Sequence, residues 1–163
     1  MTSGGRILGV GSEDLRETFT PLPAPRHPDA QKLKTFWEAR PADGIVVGRD
    51  VPSRAISHLL SHVVVWEPFE NGSDMRVRLA GAALARRFPD NLKGRTMSEL
   101  FPNDFRSHLS ESDQVFEKGT PLFLESRVSC GKIEVLHLEI ALLPVRSPDG
   151  KRPWLLTGVF FFD

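Results

Sequence analysis

The stretch Trp154–Leu155–Leu156–Thr157–Gly158–Val159–Phe160–Phe161–Phe162 is apolar in both of its alternating registers. Successive side chains of a strand point to opposite faces. Trp154, Leu156, Phe160 and Phe162 therefore share one face, and Leu155, Val159 and Phe161 share the other. Such a strand has to be covered on both sides. The segment before it alternates: Leu136, Leu138, Ile140 and Leu142 face one way, and Val135, His137, Glu139, Ala141 and Leu143 the other. The chain must therefore fold as a sheet with something packed on each face.

The remaining elements follow from turn signals and spacing. Pro121–Val128 reads as a strand, turned back by Gly131–Lys132 into Glu134–Leu143, and Ser147–Pro148–Asp149–Gly150 turns the chain into the last strand. Earlier, Val63–Phe69 and Met75–Leu79 form a strand pair around Asn71–Gly72, the strongest hairpin signal in the chain. Asp29 offers an N-cap, and Leu33, Phe36 and Trp37 fall at i, i+3 and i+4 on a helix ending near Arg40. Pro52 opens a short helix with Ile56, Leu59, Leu60 and Val63 on one face, and Ala82–Phe88 reads as another. Asn103 or Asp104 caps a longer helix with Phe105, Leu109, Ser112 and Phe116 along one side, stopped by Gly119. The expected fold is α+β: a five-stranded antiparallel sheet with the middle helices on one face. The Leu33–Phe36–Trp37 helix covers the other face or lies in a dimer interface. Residues 1–28, rich in Gly and Pro, are expected to be a flexible lead-in, 29–60 a helical extension, and 61–163 the domain proper. The proline run at Pro21–Pro28 reads as linker rather than as an SH3 ligand.

Composition narrows the partners. Lys plus Arg equals Asp plus Glu at 21 each, so no net charge draws the chain to nucleic acid or an anionic membrane. Cys130 is the only cysteine, which excludes an intrachain disulfide and suits a reducing cytoplasm. The N-terminus lacks the apolar core of a signal peptide, and no apolar run reaches the ~18–20 residues that span a bilayer. A cytoplasmic location is expected.

The order of these elements, with Arg76–Val77–Arg78–Leu79–Ala80–Gly81 and Gly94–Arg95–Thr96–Met97–Ser98–Glu99–Leu100 in the middle, resembles the PAS domain. With Trp37 on a preceding helix, it is similar to a bacterial family of stand-alone PAS-like proteins. One departure is Val46–Val47–Gly48–Arg49, where the family has proline before the arginine. The resemblance implies a non-catalytic sensory or signalling module. Such a module binds a small apolar ligand or a partner protein and commonly dimerises through its N-terminal helix. Pocket candidates are Leu79, Leu84, Phe101, Phe105, Leu109, Leu124, Leu138 and Ile140. Interface candidates for a homodimer are Leu33, Phe36, Trp37 and Phe161. No catalytic or DNA-binding segment is read after Asp163, so output is expected through a partner or through dimerisation.

Sharper chemistry finds little support in the spacing. His58 and His62 sit four apart, as two zinc ligands would, but lack further ligands, and no metal is expected. His108 is the one histidine placed as a haem ligand would be, yet it falls off the Phe105–Leu109–Phe116 stripe and is expected to face water. Flavin photochemistry needs a helical cysteine, whereas Cys130 lies at a strand end and is expected to be an inert, at least half-buried thiol. With Cys130 opposite Ile133 and His137 opposite Ser126, the two stand roughly 13 Å apart, too far to form a nucleophile–base pair. Gly4, Gly5, Gly9 and Gly11 make no phosphate loop, and no cofactor is expected. Arg76, Arg78, Arg86, Arg87, Lys93 and Arg95 read as a solvated face balanced by acidic neighbours. The alternative is a small α+β cavity enzyme of isomerase or cyclase type. That reading needs a carboxylate or histidine in the cavity, and Glu139 and His137 lie on the face opposite Leu138 and Ile140.

Overall fold

The computed structural model describes residues 15–88 and 91–163. The strands are β1 (Leu15–Leu22), β2 (Val63–Phe69), β3 (Asp74–Ala80), β4 (Leu122–Cys130), β5 (Ile133–Arg146) and β6 (Pro153–Phe161). The helices are α1 (Pro28–Glu38), α2 (Ala82–Ala85), α3 (Met97–Leu100) and α4 (Phe105–Lys118), with a 3-10 segment over Arg54–His62. All six strands form one sheet in the order β1-β4-β5-β6-β2-β3, and every neighbouring pair is antiparallel. The α+β fold is as expected, with six strands in place of five.

The sixth strand corrects the reading of residues 1–28 as lead-in. Residues 1–14 lie outside the described residues, but Leu15–Leu22 pairs along its whole length with β4, from Leu15 opposite Cys130 to Leu22 opposite Phe123. The run Thr18–Phe19–Thr20 is β-prone. Pro21, which argued against structure, is tolerated because β1 is an edge strand whose outer side has no ladder to complete.

β5 and β6 are central, and their two faces feed two separate cores. Leu138, Leu142, Leu155 and Val159 pack with β2, β3 and helices α2–α4. Ala141, Leu143, Val145, Leu156 and Phe160 pack instead with α1 and the segment leading to β2. That second cover comprises Ala30, Leu33 and Trp37 from α1, followed by Ile45, Val47, Val51, Ile56 and Leu59. A Cβ on Gly158 would meet Leu33 Cδ2 at 2.8 Å and Phe160 Cε2 at 2.7 Å, so the missing side chain lets α1 reach the sheet.

The Leu33–Phe36–Trp37 helix thus covers the chain's own sheet. Leu33 and Trp37 are buried, and Trp37 Nε1 donates to the Pro144 carbonyl at 2.8 Å while Arg40 stacks on the indole at 3.6 Å. Leu33 and Trp37, expected at a dimer interface, instead serve the chain's own core, because the two-sided strand needs them. Phe36 is only partly buried.

A single carboxylate ties α1 down. Glu139, fully buried in β5, accepts the Arg26 N–H at 2.9 Å and the His27 N–H at 3.0 Å through Oε1. His27 is the N-cap: its Nδ1 accepts from the Asp29 N–H, so Nε2 carries the proton and donates to the Phe161 carbonyl at 2.9 Å. Asp29 was expected to be the cap, but its own amide is the group being capped.

Other boundaries shift little. Ala82–Phe88 shortens to Ala82–Ala85, and the Pro52 helix is 3-10 with a kink at Ile56. Glu70, Asn71 and Gly72 take positive φ in the β2–β3 turn. Thr96 and Glu99 form a reciprocal capping box, and Ser98 donates to Asp74, so the Gly94–Leu100 motif docks α3 on β3.

Two expected outcomes test this arrangement. Trp37→Ala lowers unfolding free energy in urea by about 3–5 kcal/mol, as for a buried indole, and an effect below about 1 kcal/mol would mean α1 is not part of the core. Glu139→Leu costs about 2–4 kcal/mol, because two amides lose a charged acceptor; an unchanged midpoint would show that water replaces it.

Candidate functional site

Between the first face of the sheet and helices α2–α4 lies a cavity of about 90 Å³. Its floor is Val64 and Trp66 of β2, Leu124 of β4, Leu138, Ile140 and Leu142 of β5, and Leu155, Val159 and Phe161 of β6. Leu84, Phe88, Leu92, Met97, Leu100 and Phe101 roof it, and one wall carries Glu17, Phe19, His108, Glu111 and Ser112. The volume is below the ~150 Å³ of an engineered apolar cavity that takes up benzene. It suits a guest of a few heavy atoms.

Of the sequence-derived pocket residues, Leu84, Phe101, Leu124, Leu138 and Ile140 come together around this space. Phe105 and Leu109 pack against the same core without lining it. Leu79 is a correction: it is 38% exposed, because the edge strand β3 turns it away from the helices. Phe161, an interface candidate, lines the cavity and lies under the Arg87 guanidinium at 4.1 Å.

The position of His108 reverses the expectation of a water-facing residue. The buried residues of α4 are Ser112 and Val115, so the helix is rolled to bury the i, i+4, i+7 set His108–Ser112–Val115. Phe105 and Leu109 flank that stripe rather than centre it. His108 is held edge-on between Phe19 (ring centroids 5.5 Å apart) and Phe101 (5.0 Å), with Nδ1 3.2 Å from Glu111 Oε1.

Glu17 and Phe19 are not among the sequence-derived candidates because residues 1–28 read as a flexible lead-in. The signal was present: Leu15, Glu17 and Phe19 alternate with the exposed Arg16, Thr18 and Thr20. Glu17 Oε2 accepts from the buried Ser126 hydroxyl at 2.9 Å, while Oε1 is buried with no hydrogen-bond partner. Desolvation pushes the Glu17 carboxyl above its ordinary value, and the Ser126 bond and the nearby His108 only partly offset this.

Other candidate chemistry disperses. His58 is exposed, His62 pairs with the Ser61 hydroxyl at 3.0 Å, and no group of three potential metal ligands exists among the described residues. Cys130 is exposed, a correction to the half-buried thiol. It lies opposite Ile133 as expected, but a bulge between Val128 and Ser129 puts His137 opposite Arg127 instead of Ser126. His137 hydrogen-bonds Glu125 at 2.9 Å and stacks on Phe162. Arg76 and Arg78 flank Glu67, and Arg95 pairs with Glu99. Arg49 grips Asp43 with both terminal nitrogens and reaches Asp50, closing the 43–50 loop that lacks the expected proline. Gly4 to Gly11 lie outside the described residues.

A one-sheet α+β domain with an apolar cavity under a helical roof is the architecture of a small sensory fold. A model of the PAS domain matches residues 25–160, and the chain belongs to that family. It is also similar to the solved structure of a sensory box sensor histidine kinase from Vibrio cholerae, with 14% identity and a TM-score of 0.45; the match covers 66% of this chain and 90% of that one. No curated protein matches it. No helix among the described residues is long and apolar enough to cross a membrane.

The orphaned carboxylate makes a pH prediction. Its folded-state pKa lies above the ordinary 4.5, so the native state holds the proton more tightly than the unfolded chain. Its contribution to stability is complete below pH 4.5 and is lost as pH rises through the folded value. Glu17→Gln therefore matches the parent protein in urea at pH 4 and exceeds it at pH 7. Equal stability at both pH values would show that Glu17 is solvated.

Proposed function

We propose that this PAS domain is a non-catalytic sensory module. Its cavity takes up a small, largely apolar molecule, and its response passes to a partner protein or a second copy of the chain. The observation that carries the reading is the apolar cavity between sheet and helices, with β2, β4, β5 and β6 below and α2–α4 above. A guest there touches the roof and the sheet at once, so binding biases how the helices sit on the strands. With Leu33 and Trp37 buried in the chain's own core, outward contact falls to other groups. Leu79, Ile133 and Val135 are the large apolar side chains left exposed among the described residues.

A second reading, the small cavity enzyme, draws support from one feature. Glu17 and His108 share the cavity wall, which places a carboxylate and an imidazole where acid–base chemistry needs them. The two readings differ in what leaves the pocket. A sensor releases the molecule it bound, whereas an enzyme releases a product of different structure.

Native mass spectrometry of the protein exposed to n-butane, a guest of four heavy atoms, is expected to show a one-to-one adduct that yields unchanged butane. Ile140→Trp, which projects an indole into the space, is expected to abolish the adduct while the protein stays folded by circular dichroism. Retention of the adduct in the filled variant would place the guest elsewhere.

A further inference from the structure

The polar atoms of the cavity wall have an uneven chemistry. Each hydroxyl that reaches the space already donates its proton elsewhere. Ser112 Oγ donates to the His108 carbonyl at 3.0 Å, and Thr157 Oγ1 donates to the Val64 carbonyl at 3.3 Å while accepting from Trp66 Nε1. Behind the wall, Ser126 Oγ donates to Glu17 Oε2. His108 offers Nδ1 to the Glu111 carboxylate, so with the proton there its other nitrogen, Nε2, is an acceptor. The remaining carboxylate oxygen, Glu17 Oε1, is buried and accepts nothing, alone in this among the buried side-chain polar atoms of the described residues. The cavity therefore presents acceptors and no free hydroxyl donor. Two carboxylates, Glu17 and Glu111, stand in one wall with the His108 imidazole, and among the described residues no lysine or arginine lines the space.

A buried acceptor without a partner costs about 1–3 kcal/mol, more if charged, and such a group calls for an explanation. Aromatic rings surround the corner: Phe19 and Phe101 against His108, with Trp66, Phe88 and Phe161 around the rest. Ring faces attract cations. An apolar body with one cationic N–H head fits every part of this wall.

We propose that the cavity is a receptor site for a small primary amine with an apolar body, whose ammonium donates to Glu17 Oε1. This rests on the reading of the cavity as a ligand pocket and specifies what it selects. The ammonium supplies the hydrogen bond that Oε1 lacks and a counter-charge to the Glu17 and Glu111 wall. Its positive charge also offsets the desolvation that raises the Glu17 carboxyl above its usual range. Asp104, whose charge is also felt at Glu17, adds to the attraction. Because β1 supplies Glu17, the edge strand that extends the sheet also carries the selectivity of the site.

The test compares n-propylamine with n-butane, a near-isostere without the head group and of a size the cavity admits, by ¹⁵N–¹H NMR titration of the full chain at pH 7. A purely apolar cavity prefers butane, because the amine loses more hydration on entry. Propylamine binding about tenfold or more tighter than butane is expected, the ratio that one charge-assisted hydrogen bond supports. Glu17→Gln keeps the shape and the Ser126 bond, and Glu17→Leu fills the position with no polar atom. Both variants are expected to keep butane uptake, which shows an intact cavity, and to lose the preference for the amine; if one fails to fold, the other decides. Equal or tighter butane binding by the parent protein overturns the amine site and leaves the apolar pocket standing. A preference that survives Glu17→Leu also overturns it. Uptake of neither compound removes the amine site and the ligand-pocket reading together.

Discussion

The two-sided burial of β5 and β6 is the constraint on which the rest depends. Every second residue of these strands enters a different core, so neither face can be left to solvent. One face is served by α2–α4, which follow naturally from the β2–β3 hairpin. The other needs material from elsewhere in the chain, and it comes from α1 and the 45–59 segment. The attachment is specific as well as apolar. Gly158 leaves room for Leu33, Trp37 reaches the Pro144 carbonyl, and Glu139 holds the amides before the helix. A buried carboxylate is tolerated in that core because backbone N–H groups satisfy it.

The first core is less completely filled, and the reason lies in its mixed wall. The second core is closed by apolar residues from a long helix and a loop that follow the sheet closely. The first is roofed by two four-residue helices and by α4, rolled to turn His108 and Ser112 inward. Polar side chains with fixed hydrogen bonds cannot collapse into a gap as methyl groups can. The space left over is the cavity, and the residues that keep it open are those that give it chemical character.

Much of the sheet was legible in the residues. Alternation in Leu136–Leu143 assigned the two faces of β5 correctly, and the doubly apolar Trp154–Phe162 demanded a cover on each side. The Gly94–Leu100 motif was legible as a turn, and its capping box gives the physical cause. Of the cavity lining, five apolar residues were named from the sequence, because they sit on the inward register of clear elements. Glu17, Phe19 and His108 were not. The alternation of β1 is overshadowed by the proline run that follows it, and its partner, 109 residues away at Ser126, cannot be read from the strand itself. The α4 stripe reads from the sequence as centred on Phe105, Leu109 and Phe116, whereas the helix buries Ser112 and Val115 and turns a half-buried His108 to the cavity.

What the sequence determined by itself is the strands β2 to β6, the helices between them and the two faces of the central strands, because periodicity is written in neighbouring residues and backbone hydrogen bonding follows it. Tertiary structure alone decided which edge β1 joins, how far α4 rolls, and that Trp37 faces the chain's own sheet. Each of these turns on contacts between residues distant in sequence: Glu17 with Ser126, His108 with Phe19, Trp37 with Pro144. Local propensity carries no information about such pairings, and the candidate site is assembled from them.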